Sequence, residues 1–240
     1  MSNSTLTAVT MLSPNHSGKR THSIDRITPH CVVGQVTAES LGSWFSKQTT
    51  KASSNYGIDK DGRIGLYVDE GNRSWCSSSA SNDQRAVTIE CASDKTEPYA
   101  MYGCVYESLV VLCADICKRN GKKKLLWHET KDYALAYTPK EDEMLLTVHR
   151  WFAPKSCPGD WLYSRLGELA DRVTALLNPG TGGVFSDVPD DRWSAEAIRW
   201  CADNGIVSGF DDGTFRPTET LTREQAASMF YRAFAGKELP

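Results

Sequence analysis

Residues Thr147 to Leu162 read TVHRWFAPKSCPGDWL. A short apolar run ends in a histidine, and a loop with two prolines, a lysine, a cysteine and a glycine follows. His149 and Cys157 are eight residues apart, with Lys155 two before the cysteine. The stretch is either an ordinary surface loop or one half of a metal site whose other half lies far up the chain. A histidine at a strand end is held rigidly, and a loop stiffened by proline can return a thiol to it.

Working outward, the 240 residues suffice for one sizeable core and a small second unit. With 40% hydrophobic and 24% charged residues the composition is globular, and a net charge of -3 gives no general affinity for polyanions. Nucleic acid is therefore not an expected partner. No apolar run approaches the roughly 18 residues that a membrane span requires. The opening MSNSTLTAVTMLSPNHSGKR lacks the basic start and apolar stretch of a secretory signal, so synthesis in a bacterial cytoplasm is expected. The eight cysteines are dispersed, contain no C-x-x-C pair, and read mainly as small buried hydrophobes in a reducing compartment.

The clearest boundary is NPGTGG, Asn178 to Gly183, which stops an amphipathic helix carrying Leu162, Leu166, Leu169, Val173 and Leu176 on one face. It divides the chain into residues 1–178, a linker 179–184 and a module 185–240. In the first part, Ile27 to Val36 is β-rich and Thr37 caps a helix reaching Lys47. Ser54 to Ile58 and Arg63 to Val68 form a hairpin around DKDG. Ala86 to Ala92 reads as a buried strand. Gly103 to Asn120 reads as a helix with Val105, Leu109, Leu112, Cys113 and Ile116 inward and Gly121 as its stop. KKLLW is a further strand, and Thr138 with Pro139 is expected to open a short helix. This order predicts an α/β domain: a mixed central sheet with helices on both faces, plus a small all-α C-terminal module. In that module, Trp193 to Asn204 forms one helix ended by Gly205. Thr222 and Gln225 make a capping box for the last.

A hydrolytic zinc centre needs three protein ligands and an open position for water. Of the five histidines, His16 and His22 lie in a polar segment and His128 suits a rim. His30, inside ITPHCVVGQ, and His149, after LLTV, sit at strand ends, and Cys157 would complete an N, N, S set. Scattered histidines and cysteines are more often structural, so these residues alone leave the choice open. Cys31, next to His30, is expected to point to the opposite side of its strand and pack.

Four features occur in a fixed order over residues 24 to 177: the early strand histidine in ITPHCVV, the tyrosine in SSNYGIDKDGRI, the strand ending VTIE, and the late H-x7-C-P-G block with its lysine. In these the chain resembles the zinc-dependent N-acetylmuramoyl-L-alanine amidases of type 2, a group that includes phage endolysins and peptidoglycan recognition proteins. The resemblance implies zinc held by His30, His149 and Cys157, although many relatives carry aspartate in the third position. It implies Glu90 as acid/base, Lys155 as stabiliser of the developing oxyanion and Tyr56 at the activated water. The implied substrate is peptidoglycan, cut between N-acetylmuramic acid and the first L-alanine. Trp75, the stretch Cys76 to Ser81 and Asn82 are expected to line the groove. Some proteins of this fold bind peptidoglycan without cutting it, which is the alternative reading.

Residues 185 to 234 carry F-x-D-V, a tryptophan before a helix, G-I-V-x-G-F, D-G-T-F-x-P and L-T-R-E, and resemble one surface-layer homology repeat. The implied ligand is a secondary cell-wall polysaccharide, with Trp193 and Arg223 as contacts. The family usually carries three repeats, so a lone one is expected either to associate chains into a homo-oligomer or to act as a weak tether. With no signal read at the N-terminus, a phage enzyme released onto the wall is expected.

Overall fold

The computed structural model describes residues 2–178, 185–210 and 212–234; the expected linker, 179–184, lies outside the described residues. Two compact units are present, Met1–Leu177 and Asn178–Pro240. In chain order the first holds β1 (Thr7–Thr10), β2 (His16–Lys19), β3 (Arg26–Cys31), α1 (Ala38–Phe45), β4 (Tyr56–Ile58) and β5 (Ile64–Leu66). It continues with β6 (Asn72–Ser74), α2 (Ala80–Asp83), β7 (Ala86–Cys91), α3 (Gly103–Arg119), β8 (Lys124–Leu126), α4 (Lys131–Ala136) and β9 (Glu143–Leu146). Two helices close it, α5 (Asp160–Tyr163) and α6 (Leu166–Leu177).

Seven strands form one mixed sheet in the order β1-β5-β4-β7-β3-β9-β8. Only the β4–β5 hairpin is antiparallel within it. Asp59 shapes the hairpin turn by accepting the backbone N–H groups of Asp61 and Arg63 at 3.0 and 2.8 Å. The central strands β3 and β7 are covered on both faces, as near-continuous apolar runs in parallel sheets require. The inward residues of α3 are those the 3.6-residue spacing predicts: Val105, Leu109, Leu112, Cys113 and Ile116 are buried. They pack with Leu166, Leu169 and Val173 of α6 on one face of the sheet. On the other face α1 buries Leu41 and Phe45 against Tyr67, and its expected cap is present, with Thr37 Oγ1 accepting from Ser40 N at 3.1 Å.

Three expectations change. Thr138 and Pro139 end a helix rather than open one: α4 stops at Ala136, and Tyr137 is already extended (φ -71°, ψ 133°) on the way to β9. A residue before proline disfavours helical backbone, and that restriction wins over proline's fitness for a first turn. The single helix expected from Leu162 onward is two, because the Arg165 guanidinium takes the Trp161 carbonyl at 3.0 Å and Arg165 N turns to Leu162 O. Leu176, near the end of α6, is 50% exposed instead of inward. Finally, β1, β2 and β6 had no apolar signature. Apart from the buried Ser74 their residues are half-buried or exposed, and main-chain pairing makes the strands.

The second unit holds α7 (Ala195–Asp203) and α8 (Arg223–Phe234). Its core is Phe185, Val188 and Ala195, joined by Ile198, Ala202 and Phe215. The F-x-D-V aspartate has a structural reason: Asp187 accepts the backbone N–H groups of Phe215 and Arg216 at 2.8 and 2.7 Å, which holds its carboxyl below the usual range. Gly209 is required because a Cβ there would meet the Phe185 ring at 2.3 Å. Thr222 and Gln225 form the reciprocal cap, with bonds of 2.9 and 3.1 Å. No described residue of α8 is buried.

Candidate metal centre and its groove

The register of three parallel strands builds the site. His30 on β3 lies opposite Glu90 on β7, and Glu90 lies opposite Gly57 on β4, so the three share one face of the sheet. It is the α1 face: a Cβ at Gly57 would meet Leu41 and Tyr67 at 2.7 Å. His149 enters beyond the end of β9 on a short 3-10 turn, His149–Trp151. The loop then returns Cys157. Arg150 closes it, donating its N–H to the Cys157 carbonyl at 3.0 Å, pairing with Asp160 at 2.9 Å and stacking 4.6 Å above the Tyr163 ring. Trp151 is stacked on Trp127 at 5.1 Å between ring centres. Gly159 (φ +83°) is needed there, since a Cβ would lie 2.7 Å from the Pro98 carbonyl.

The result is a tight donor cluster. One donor atom each from His30, His149 and Cys157 lies within 4.8 Å of the others, and His30 Nδ1 is 3.3 Å from Cys157 Sγ. His30 is 1% exposed, and its Nε2 has no partner among the described residues. Burial holds the His30 imidazole well below its ordinary pKa, helped by His149. Burial and then the Lys155 charge lower His149 too. Both rings are therefore neutral at pH 7 and offer lone pairs. Two imidazoles and a thiol suit zinc, a borderline ion that takes nitrogen and sulfur donors in sets of this size. The residues present fit that group.

Glu90 stands beside the cluster, with its donor atom within 4.8 Å of those of His30 and Cys76. Its Oε1 accepts from the Cys76 thiol at 3.6 Å, while Oε2 is shielded from solvent and has no partner among the described residues. Burial pushes its carboxyl up to about 8. Lys155 is exposed on the return loop and borders the same groove as Glu90 and His149. Trp75 forms another part of the wall, tied by Nε1 to Ser17 Oγ at 2.6 Å. Trp44 of α1, which sequence reasoning passed over, borders the groove and is 50% exposed.

Two candidates take other places. Tyr56 is one residue out of the His30–Glu90–Gly57 row, so its side chain enters the α3-side core. There its hydroxyl donates to Glu70 at 2.6 Å and accepts from Ser4 N at 2.8 Å. Burial and the Glu70 charge push its pKa up. Tyr56→Phe is expected to cost about 1.5–3 kcal/mol, the worth of a hydrogen bond to a charged partner, and to leave kcat unchanged. Chemical denaturation and steady-state kinetics check it. Asn82 is fully buried: it donates to Thr28 and Ser77 and accepts from Arg26 and Thr147, which makes it a brace rather than groove lining. Cys31 packs as expected, in register with Cys91 and Ile58 and in the same core cluster, and it also borders the groove beside Cys157.

In the second unit, Trp193 is 92% exposed over a shallow cleft shared with Arg192, Arg199 and Trp200. Arg223, exposed at the start of α8, is not among the residues lining that cleft.

Known proteins match the two units separately. Residues 184–227 match the model of the S-layer homology domain. Over 69 residues the chain is 48% identical to the outer membrane protein SlpA of Thermus thermophilus, and over 62 residues 39% identical to the S-layer protein sap of Bacillus anthracis. These alignments take in 28% and 25% of this chain but only 8% of either relative's length. In fold, the chain is similar to a mutant of PlyL (TM-score 0.50, 12% identity, 70% of this chain and 98% of that one). It is also similar to the hydrolase AmiA of Staphylococcus aureus (TM-score 0.51, 13% identity, 70% and 83%). The family model described as N-acetylmuramoyl-L-alanine amidase matches residues 20–160, more than half of the chain, and it is to this family that the chain belongs.

Proposed function

We propose that the chain hydrolyses peptidoglycan at the amide between N-acetylmuramic acid and L-alanine, as an endolysin-type amidase with zinc as cofactor. The observation that carries the reading is the convergence of His30, His149 and Cys157 beside Glu90 and Lys155 in one groove. When bound, zinc supplies Lewis acidity, which brings the pKa of water from about 15.7 toward about 7. The chain's own residues do the rest. Glu90 takes the proton of the attacking water and passes it to the leaving nitrogen as the carbon–nitrogen bond breaks. With a dication held by His30, His149 and Cys157, Glu90 would be kept as the carboxylate against the effect of burial. The Lys155 ammonium stabilises negative charge that develops on the lactyl carbonyl oxygen. Trp75 and Trp44 offer apolar faces to the sugar and stem peptide.

The test is to incubate the full chain with muropeptides, with and without a chelator, and to identify products by mass spectrometry. Free stem peptide and intact muramyl sugar, both abolished by chelation, are expected. Binding without cleavage would replace this reading by a non-catalytic recognition protein.

The second unit holds secondary cell-wall polysaccharide in this reading, supported by the S-layer homology match and the exposed tryptophans Trp193 and Trp200. No helix among the described residues is long and apolar enough to cross a membrane. The reading also has chains associate through this unit, supported by Phe230, Tyr231 and Phe234, exposed along α8. Light scattering is expected to give a mass above the monomer for the full chain and a monomer for Phe230→Asp. Equal masses would exclude association through α8.

A further inference from the structure

The segment between β6 and α2 is built with more care than a groove wall needs. The buried Asp83 carboxylate accepts the N–H groups of Cys76 and Ser77 at 3.1 and 3.2 Å and the Ser77 hydroxyl at 2.5 Å. Asn82 adds a bond to the same hydroxyl at 3.2 Å. This anchoring holds the next residue, Ser78, at φ +61°, a left-handed backbone that a residue with a Cβ rarely adopts. From there Ser78 Oγ lies 2.9 Å from His149 Nε2.

A neutral imidazole carries one N–H, and whatever engages one nitrogen decides what the other offers. We propose that Ser78 is the positioning residue of His149: its hydroxyl oxygen accepts the Nε2 proton, fixing the tautomer in which the Nδ1 lone pair is free for a metal shared with His30 and Cys157. The buried aspartate and the strained backbone serve to present that oxygen. Outer hydrogen-bond partners of ligand histidines set ring orientation and raise basicity. The assignment rests on the proposed role of His149 as a ligand.

Zinc affinity of the full chain, measured by competition with a chromophoric chelator, tests it. Ser78→Ala and Ser78→Gly are each expected to weaken zinc about 10-fold, the low end of the range for such partners, because water can replace an exposed hydroxyl. The metal-free Ser78→Gly protein is expected to melt no lower than wild type, since glycine accepts this backbone freely. A role in loop shape alone would leave Ser78→Gly at wild-type affinity, and that result overturns the proposal. His149→Ala separates the two readings. If it loses zinc while Ser78→Ala binds as wild type does, the positioning role falls alone. If it binds zinc as tightly as wild type, the ligand assignment falls and the inference with it.

Discussion

Cys157→Ala is expected to abolish both zinc binding and hydrolysis while leaving the fold intact. The side chain is half-buried on a loop held by other contacts: the Arg150 bond to the Cys157 carbonyl, the Arg150–Asp160 pair and the Trp151–Trp127 stack do not involve the thiol. Its loss removes the only anionic donor of the set and leaves two neutral imidazoles. The affinity loss is expected to exceed the roughly 10–100-fold that outer partners cost. Cys157→Asp, which restores a charged donor, should keep part of both properties. In the metal-free chain, contact with the Cys31 thiol and burial push the Cys157 thiol up, so it is protonated at neutral pH. Metal must displace that proton. Zinc affinity is therefore expected to rise with pH, with about one proton released to buffer on binding. Titration calorimetry in buffers of different ionisation enthalpy measures both. Unchanged zinc content in Cys157→Ala would mean that another group is the third ligand.

Glu90→Gln is the second large effect, and it separates chemistry from metal binding. Glutamine keeps the shape and still accepts from Cys76, but cannot carry a proton. A fall in kcat of about 10²–10⁴ is expected, with zinc content unchanged by elemental analysis. The same change should stabilise the metal-free protein. A carboxyl that ionises near 8 when folded and near 4.3 when unfolded holds its proton longer in the native state, so stability falls as pH rises between those values. Glutamine has no such slope. The melting temperature of metal-free Glu90→Gln should exceed that of wild type, by a margin that widens from pH 5 to pH 8. A constant margin would mean that burial is not what shifts Glu90.

Much of the frame was legible because it depends on local chemistry. The buried runs of β3 and β7, the inward face of α3 and the caps at Thr37 and Thr222 follow from residue type and period. The nitrogen and sulfur donors were also readable at strand ends and in a proline-bearing loop. What failed did so for separate reasons. A strand's side chains alternate with period two, so a displacement of one residue exchanges faces. Tyr56 was assigned to the site, yet its neighbour Gly57 occupies the row of His30 and Glu90. Asn82 was expected to line the groove, and nothing local announces four partners spread from Arg26 to Thr147.

By itself, then, the sequence determined the central strands β3 and β7, the helices α1 and α3, the boundary near residue 178 and the kinds of donor available to a metal. Tertiary structure alone decided which side chains meet. His30 and Cys157 are separated by 127 positions and lie 3.3 Å apart, and Ser78 reaches His149 across 71. The physical reason is the range of the forces involved. Propensity, capping and periodicity act within a few residues, whereas a donor cluster is set by strand register and loop closure, which no short window of sequence contains.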